Sequence, residues 1–184
     1  MKEISLHILD LAQNSIRAGA KTVAIALCED RQSDTFTVTI EDDGTGMSKE
    51  LAAAVLSPFV TTRTTRKVGL GIPLFAAGCE NCEGSFTLES TPGKGTKMVG
   101  TYRLSHIDRP PLGAIWDTIV LLIQANPLLR FCYTHTLDGQ GYALDTSEVR
   151  TILGEVPLDT PEVTSFLTEF IRNNEQELRE VPKP

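Results

Sequence analysis

Apolar and polar residues follow two different periods along the first 104 positions, and the change between these periods predicts a mixed α/β unit. Apolar residues three or four apart favour amphipathic helices, whereas strict alternation favours strands with one buried face. The pattern predicts helices over 3–18, 48–56 and 72–81, and strands over 22–28, around 36–40, over 85–90 and over 96–104. Such a set forms two layers, with helices packed on one face of a sheet.

The rest of the chain predicts a second, smaller set of elements after a proline-containing seam at 107–111. The predicted elements are a helix at 112–126, a strand at 129–136, a short strand ending near Leu144, and helices near 146–153 and 160–178. Asp145 or Thr146, and Thr160 before Pro161, are the expected caps of the last two helices. We therefore expect one unit at 1–106 and a small acidic α+β domain or extension at 107–184.

Charge is distributed unevenly between these two parts. Residues 1–104 carry 11 Lys and Arg against 12 Asp and Glu, whereas residues 105–184 carry 6 against 12. General nucleic-acid binding is therefore not expected, because it needs a basic surface. The acidic C-terminal part fits either a basic partner or an ordinary solvated face.

The chain contains no segment that predicts membrane insertion. Its longest aliphatic run, Ile119 to Ile123, is far too short to cross a bilayer. The N-terminus, MKEISLHILD, has no small-residue cleavage site, so we expect no signal peptide, no membrane association and a cytoplasmic location.

Three polar residues are spaced along the first helix so that they project from one side. Asp10 and Asn14 are four apart, and Arg17 lies one turn further on. A carboxylate stacked on an amide suits an oxygen-ligated Mg²⁺ with a neighbouring general base. An exposed polar stripe on an amphipathic helix is the alternative.

A second polar cluster follows the strand that contains Phe36, Val38 and Ile40. Because side chains on a strand alternate, Asp42 continues the inward face of those apolar residues. A buried carboxylate needs a partner, and the exocyclic amine of adenine would be one. Gly44 and Gly46 would let the backbone approach a flat ligand, although an ordinary Asp-Gly turn has the same composition.

Residues 58–72, PFVTTRTTRKVGLGI, combine hydroxylated and basic residues with a glycine pair that opens a helix. The N–H groups at a helix start favour negative charge, and Arg63, Arg66 and Lys67 lie just before it. This segment by itself predicts binding of a phosphorylated ligand.

Taken in order, these motifs resemble the GHKL ATPase superfamily, which includes DNA gyrase, histidine kinases, MutL and a large heat-shock chaperone. The resemblance is greatest to the catalytic domain of nitrogen-regulation-type histidine kinases. It covers residues 1–104 and implies a Bergerat-type two-layer α/β sandwich with a mixed, mostly antiparallel sheet. The matching motifs are Asp10-x-x-x-Asn14, Asp42-x-Gly44-x-Gly46, Pro58-Phe59-x-Thr61-Thr62, Gly69-Leu70-Gly71 and Gly93-Lys94-Gly95-Thr96.

The resemblance implies ATP and Mg²⁺ as ligands and gives a role to each matching residue. Asp10 takes the position of a general base, and Asn14 that of the Mg²⁺ ligand. Asp42 takes the position of the carboxylate that accepts a hydrogen bond from the adenine amine. The implied nucleotide-binding residues are Asn14, Arg17, Asp42, Gly44, Gly46, Met47, Phe59, Thr61, Thr62, Arg63, Lys67, Gly69, Leu70, Gly71 and Thr96.

The sequence departs from that family pattern at two positions and lacks one element. Asp10 replaces a glutamate and is one methylene shorter. The segment 58–72 resembles the ATP lid of the family, and Lys67 replaces the first glycine of that lid. The first motif begins within ten residues of Met1, so we expect no two-helix segment with a phosphoacceptor histidine before it, and we interpret His7 as structural. We therefore expect the phosphoacceptor, if there is one, to be a separate protein.

Cys79 and Cys82 lie three positions apart near the end of a predicted helix, so their thiols share a face. A redox pair or a metal site shared between two copies would use such spacing, but buried inert thiols are the commoner case.

Three functions therefore compete. In the first, the chain transfers the γ-phosphate of ATP to a partner protein, with Asp10 as base. In the second, it is an ATP-gated conformational switch with slow hydrolysis. In the third, it is a binding module that does not turn ATP over. A regulatory protein partner and a homodimer are the partners expected, and the retained carboxylate of Asp10 favours chemistry.

Overall fold

The computed structural model describes residues 3–56, 70–180 and 182. The described helices are α1 (Ile4–Arg17), α2 (Lys49–Leu56), α3 (Gly71–Asn81), α4 (Ile115–Ala125), α5 (Thr146–Leu153) and α6 (Pro161–Arg179). The described strands are β1 (Thr22–Asp30), β2 (Thr35–Asp42), β3 (Phe86–Thr91), β4 (Gly95–Arg103), β5 (Arg130–Leu137) and β6 (Gln140–Asp145).

The described strands form one mixed sheet in the order β3-β4-β2-β1-β5-β6. Neighbouring strands are antiparallel except for β1 and β5, which pair in parallel from Thr22 opposite Arg130. A parallel pair needs a long crossover connection, and the chain between β4 and β5 provides it through α4. The C-terminal strands thus extend the edge of the first sheet.

Alternation along the strands places the core on one face of the sheet. In β2, Phe36, Val38 and Ile40 are buried, whereas the residues between them are partly exposed. A stripe on α1 that includes Ile4, Ile8 and Leu11 covers that face. Residues of α4 and α6 belong to the same hydrophobic cluster, so the two sequence regions share one core.

The seam between the two regions is bonded to the start of α1. The first N–H groups of a helix have no partner within the helix, and Glu3 supplies no side-chain cap. Instead, Ile4 N–H donates to the carbonyl of Pro111 at 2.9 Å, and Ser5 N–H donates to that of Leu112 at 2.9 Å. The seam therefore caps α1.

The structure confirms the predicted fold class, a two-layer α/β sandwich with helices on one face of a mostly antiparallel sheet. Asp145 caps α5 as predicted, because its carboxylate accepts the N–H of Ser147 at 2.8 Å. Thr160 is the N-cap of α6, as predicted, but it makes no side-chain capping bond, because its hydroxyl donates to the carbonyl of Pro157. The division at 106 and 107 stays a prediction.

None of the helices in the described part of the chain is long and apolar enough to cross a membrane.

Candidate functional site

Asp42 lies at the end of β2 with its side chain on the core face, as its phase in the strand predicted. It is 7 % exposed. Its Oδ2 accepts a 2.6 Å hydrogen bond from the hydroxyl of Ser15 on α1, and its Oδ1 accepts the N–H of Gly44 at 2.9 Å. A carboxylate can accept about four hydrogen bonds, so Asp42 keeps acceptor capacity for a ligand.

A row of hydroxyl groups continues from Asp42 across the sheet. Thr96 on β4 lies opposite Asp42, and Ser90 on β3 lies opposite Thr96. The two hydroxyls are 2.8 Å apart, and Ser90 Oγ also accepts the N–H of Met47 at 2.8 Å. The turn after β2 is thereby fixed to the same row, which brings Met47, Asp42 and Thr96 to one end of the sheet.

Gly46 makes this turn possible because no other residue fits its position. Its φ is +65°, and a Cβ placed there would lie 2.0 Å from the carbonyl oxygen of Thr91. The neighbouring Thr45 N–H donates to the carbonyl of Ala18 at 2.9 Å, which joins the turn to the end of α1. The Asp-Gly turn is therefore packed tightly between α1 and the β3–β4 hairpin.

Asp10 lies half-buried where the start of α3 meets α1. A Cβ on Gly71, the first residue of α3, would lie 3.4 Å from Asp10 Oδ2 and 3.3 Å from its Cβ. The glycine lets the two helices approach closely. The positive end of the α3 dipole then faces the carboxylate, and the backbone N–H groups there can bind anions.

Asn14 and Arg17 contact each other on the side of α1 that also carries Asp10. The Arg17 guanidinium donates a 3.3 Å hydrogen bond to Asn14 Oδ1, the oxygen that the sequence assigns to Mg²⁺. Among the described residues, no group of three or more His, Cys, Asp or Glu could hold a metal ion. A protein site for Mg²⁺ needs only one or two such oxygens when phosphates and water supply the others.

Part of the predicted site lies outside the described residues. Leu70 is 63 % exposed at the N-cap of α3. The other lid residues, which are Phe59, Thr61, Thr62, Arg63, Lys67 and Gly69, are not among those described.

Three residues that the sequence did not assign hold the site together. Ser15 fixes the carboxylate of Asp42, and Ser90 fixes the turn. Asp43 Oδ1 accepts the N–H groups of Lys21 at 2.7 Å and Thr22 at 2.8 Å. Burial raises the pKa of Asp43, but these N–H groups outweigh it and hold the pKa below its usual value. The need of a buried Asp42 for a donor was the only signal for Ser15.

Cys79 and Cys82 are buried on α3, at 0 % and 2 % exposure. Burial raises the pKa of Cys79 to about 12 and also raises that of Cys82, so both thiols are protonated at neutral pH. Thiolate is the reactive form of cysteine, so the geometry favours inert packing over a redox pair.

The fold and these residues define a class of protein: a two-layer domain with a buried Asp at a strand end and a carboxylate-amide pair on the first helix. Residues 2–106 match the family described as "Histidine kinase-, DNA gyrase B-, and HSP90-like ATPase". The chain belongs to this family, which is the GHKL superfamily that the sequence motifs resemble.

Curated relatives match over the same region. The Non-motile and phage-resistance protein of Caulobacter vibrioides is 32% identical over 111 residues, which are 55% of this chain and 13% of that protein. Sporulation kinase A of Bacillus subtilis is 31% identical, over 52% of this chain and 15% of its own length. Sensor protein kinase FleS of Pseudomonas aeruginosa is 32% identical, over 60% of this chain and 27% of its own length. The matched regions are thus between about an eighth and a quarter of these relatives.

A solved structure of similar fold is the Aquifex aeolicus MutL ATPase domain complexed with ADP. The match has a TM-score of 0.52 and 13% identity, and it covers 100% of this chain and 99% of that one. At this identity the similarity concerns the fold, and it includes the C-terminal strands and helices.

Proposed function

We propose that this chain binds Mg·ATP and transfers the γ-phosphate to a separate regulatory protein, with Asp10 as the general base. Family membership supports the nucleotide, and the relatives named as kinases and sensor proteins support phosphotransfer. The single observation that carries the proposal is the buried carboxylate of Asp42, which Ser15 and Gly44 hold in a fixed orientation while it keeps acceptor capacity.

The row at the end of β2 suits the adenine end of a nucleotide. Asp42 would accept a hydrogen bond from the exocyclic amine, and the Thr96 hydroxyl lies on the same inward face beside it. Gly44, Gly46 and Met47 would border the base, because the turn that contains them is bonded to Ser90 and Ala18. A buried carboxylate discriminates strongly against a base that cannot donate to it.

The surface where α1 meets α3 suits the phosphate end. The start of α3 offers backbone N–H groups, and we propose that Leu70, Gly71 and the predicted lid residues Phe59, Thr61, Thr62, Arg63, Lys67 and Gly69 bind the phosphates. Arg17 would move from Asn14 Oδ1 to a phosphate oxygen. Asn14 Oδ1 would then be free for Mg²⁺, whose charge stabilises the phosphate oxygens when it is bound.

Asp10 has the position required of a general base on this surface. Its Oδ2 faces the start of α3 rather than a basic residue, and none of the ion pairs in the described part of the chain includes it. We propose that Oδ2 accepts the proton of the attacking hydroxyl or imidazole on the partner protein.

The test is incubation with Mg²⁺ and γ-labelled ATP, alone and with proteins encoded by neighbouring genes. Label on a second protein that disappears with Asp10→Asn would support the kinase. Free phosphate without labelled protein would favour the ATP-gated switch, and ATP binding without turnover would favour the non-catalytic module. A homodimer and a cytoplasmic location stay predictions, to be tested by sedimentation and by cell fractionation.

A further inference from the structure

A cleft of about 530 Å³ lies between the start of α4 and the end of α6, away from the nucleotide residues. Its walls include Leu112, Gly113, Trp116, Glu175, Arg179 and Glu180. Its volume falls within the usual range for sites that bind small molecules.

Glu175 supplies a buried carboxylate to this cleft and is only half satisfied. The residue is 5 % exposed, and its Oε1 receives three contacts. These come from His135 Nδ1 at 2.6 Å, the Tyr142 hydroxyl at 2.7 Å and the Tyr133 hydroxyl at 3.1 Å. Within the described ranges Oε2 has no hydrogen-bond partner. This oxygen is also not sealed from solvent. A free carboxylate oxygen is therefore available to a donor in the cleft.

Glu175 is negatively charged at neutral pH. Burial raises its pKa, but the hydrogen bond and charge of His135 outweigh burial and hold the pKa below its usual value. An ionised oxygen in such a buried place binds a charged donor more strongly than a neutral one.

Among the described residues of the cleft wall, Arg179 is the one cation, and it is already engaged. Both terminal nitrogens of Arg179 contact the carboxylate of Glu29, at 3.1 and 2.9 Å. The carboxylates near the cleft are less engaged. Glu180 is exposed at the end of α6. Glu3 Oε2 lies directly against Gly113 of the wall, since a Cβ on that glycine would be only 2.2 Å from it. Arg172 lies over Trp116 and His135 lies against Glu175, so the described groups around the cleft are four carboxylates against three cations, an excess of one negative charge.

Trp116 gives the cleft an aromatic wall that already attracts a cation within the protein. The guanidinium of Arg172 lies 5.2 Å from the centre of its ring. Cations are attracted to the face of a Trp ring by its quadrupole, and alkyl chains pack against the ring as well. Aromatic side chains recognise alkylated ammonium ligands in this way.

We propose that this cleft binds a guanidinium or ammonium group carried on an alkyl chain. The charged head donates to Glu175 Oε2 and lies near Glu180, while its alkyl part packs against Leu112 and Trp116. This site is independent of the proposed nucleotide site, and its test needs no ATP.

Trp116 is the only tryptophan of the chain, so its fluorescence reports on this cleft alone. The experiment titrates the full chain, without nucleotide, with Nα-acetyl-arginine amide and with Nα-acetyl-citrulline amide, its neutral isostere. We expect the arginine derivative to bind at least about 10-fold more tightly than the citrulline derivative, because only the arginine derivative forms a charge-assisted hydrogen bond. Equal affinity of the two compounds, or no fluorescence change with either, would overturn the proposal.

Variants on α6 locate the binding. Glu180→Gln should weaken the arginine derivative about threefold, and Glu175→Gln should abolish its advantage over citrulline. Glu177→Gln is the matched control, since it removes the same charge from the same helix outside the cleft wall. Calorimetry repeats the measurement, and circular dichroism checks that each variant is folded. An effect of Glu177→Gln equal to that of Glu180→Gln would show general charge attraction and overturn the site.

A Gly-Gly-Arg-Gly-Gly peptide distinguishes the source of the cation. Tighter binding of the free derivative indicates a small molecule, and tighter binding of the peptide indicates a side chain of a partner protein. Either result supports a cation site, provided that the citrulline counterpart binds more weakly.

Discussion

The hydroxyl of Ser15 donates a 2.6 Å hydrogen bond to Oδ2 of Asp42, although the two residues are 27 positions apart. Ser15 lies on the buried side of α1, and Asp42 ends β2, so this bond joins the helix to the sheet at the proposed adenine position. With Gly44 N–H on the other oxygen, it fixes the plane of the carboxylate before any ligand arrives. Because this acceptor is already ordered, ligand binding loses less conformational entropy, and the affinity for the ligand is higher.

The first prediction follows from this bond. Ser15→Ala should weaken ATP binding about 10-fold and lower the free energy of unfolding by about 1–3 kcal/mol, because a hydrogen bond to a charged group is lost. Equilibrium binding of a fluorescent ATP analogue and urea unfolding measure the two effects. Ser33→Ala, in the exposed turn between β1 and β2, is the control. Wild-type affinity in Ser15→Ala would show that the bond does not position Asp42 for the ligand.

The two aspartates of the site should separate binding from turnover. Asp42→Asn exchanges one acceptor oxygen for a donor, so ATP affinity should fall at least about 100-fold through the loss of the adenine contact. Asp10→Asn should keep the affinity within about threefold and reduce turnover at least about 100-fold, as expected for loss of a general base. Calorimetry and phosphate release measure these quantities. Retained ATP affinity in Asp42→Asn would mean that the adenine lies elsewhere.

The sequence predicted the features of the site that depend on local periodicity. The alternation of Phe36, Val38 and Ile40 was enough to place Asp42 inward, because strand side chains alternate strictly. Helical spacing likewise placed Asp10 and Asn14 on one side of α1. The parallel pairing of β5 with β1 was not predictable, since the period of a strand does not identify its neighbour. The hydrogen bond between Ser15 and Asp42 was not predictable either, because the period of a helix does not identify the strand residue that it contacts.

Gly46 and Gly93 offer a matched test of close packing in the site. Both have positive φ, +65° and +76°, but a Cβ on Gly46 would meet the carbonyl of Thr91, whereas one on Gly93 would meet nothing within 4 Å. Gly93→Ala should therefore cost about 1–2 kcal/mol from backbone strain alone. Gly46→Ala should cost at least about 2 kcal/mol more, because the backbone must also move. Urea unfolding of both variants measures the difference, and equal costs would show that the turn is loosely packed.

The cysteines should differ sharply in reactivity. Cys28 lies exposed on β1, whereas burial raises the pKa of Cys79 to about 12. A thiol-reactive disulfide reagent at mildly alkaline pH should thus modify Cys28 rapidly in the folded protein and leave Cys79 and Cys82 unmodified until urea is added. Cys28→Ser is the control that removes the fast phase. Rapid modification of Cys79 or Cys82 in the folded protein would restore the redox hypothesis.

A buried charge network holds α6 against the sheet at the end opposite Asp42. His135 on β5 is 1 % exposed and lies between Glu175 of α6, 2.6 Å from its Nδ1, and Glu29 of β1, 3.1 Å from its Nε2. Arg179 neutralises the outer side of Glu29, and two tyrosine hydroxyls donate to Glu175. Burial lowers the pKa of His135, but the hydrogen bonds that its ring donates to both carboxylates outweigh burial and raise the pKa above 6.5. In its protonated form His135 is an imidazolium between two carboxylates, and it joins the C-terminal helix to β1.

This network should make stability depend on pH in a defined direction. The folded protein binds a proton at His135 more tightly than the unfolded chain, so its contribution is complete below pH 6.5 and is lost as pH rises through the folded pKa. Glu29 behaves in the opposite way. Burial raises its pKa, but His135 and Arg179 bring it to about 2, so its contribution is complete above pH 4.5 and is lost as pH falls toward 2. We therefore expect the network to stabilise the fold most between pH 4.5 and 6.5.

Urea unfolding of wild type and His135→Gln across this range tests the prediction. Wild-type stability should fall as pH rises above 6.5, and His135→Gln should be less stable by about 3–5 kcal/mol but show a flatter pH dependence there. His106→Gln, outside the network, should keep the wild-type slope. If His135→Gln does not fold, NMR titration of the wild-type protein measures the pKa of the His135 imidazole directly. A measured pKa of His135 below 6.5 would mean that burial outweighs the two carboxylates and that the imidazole between them is neutral.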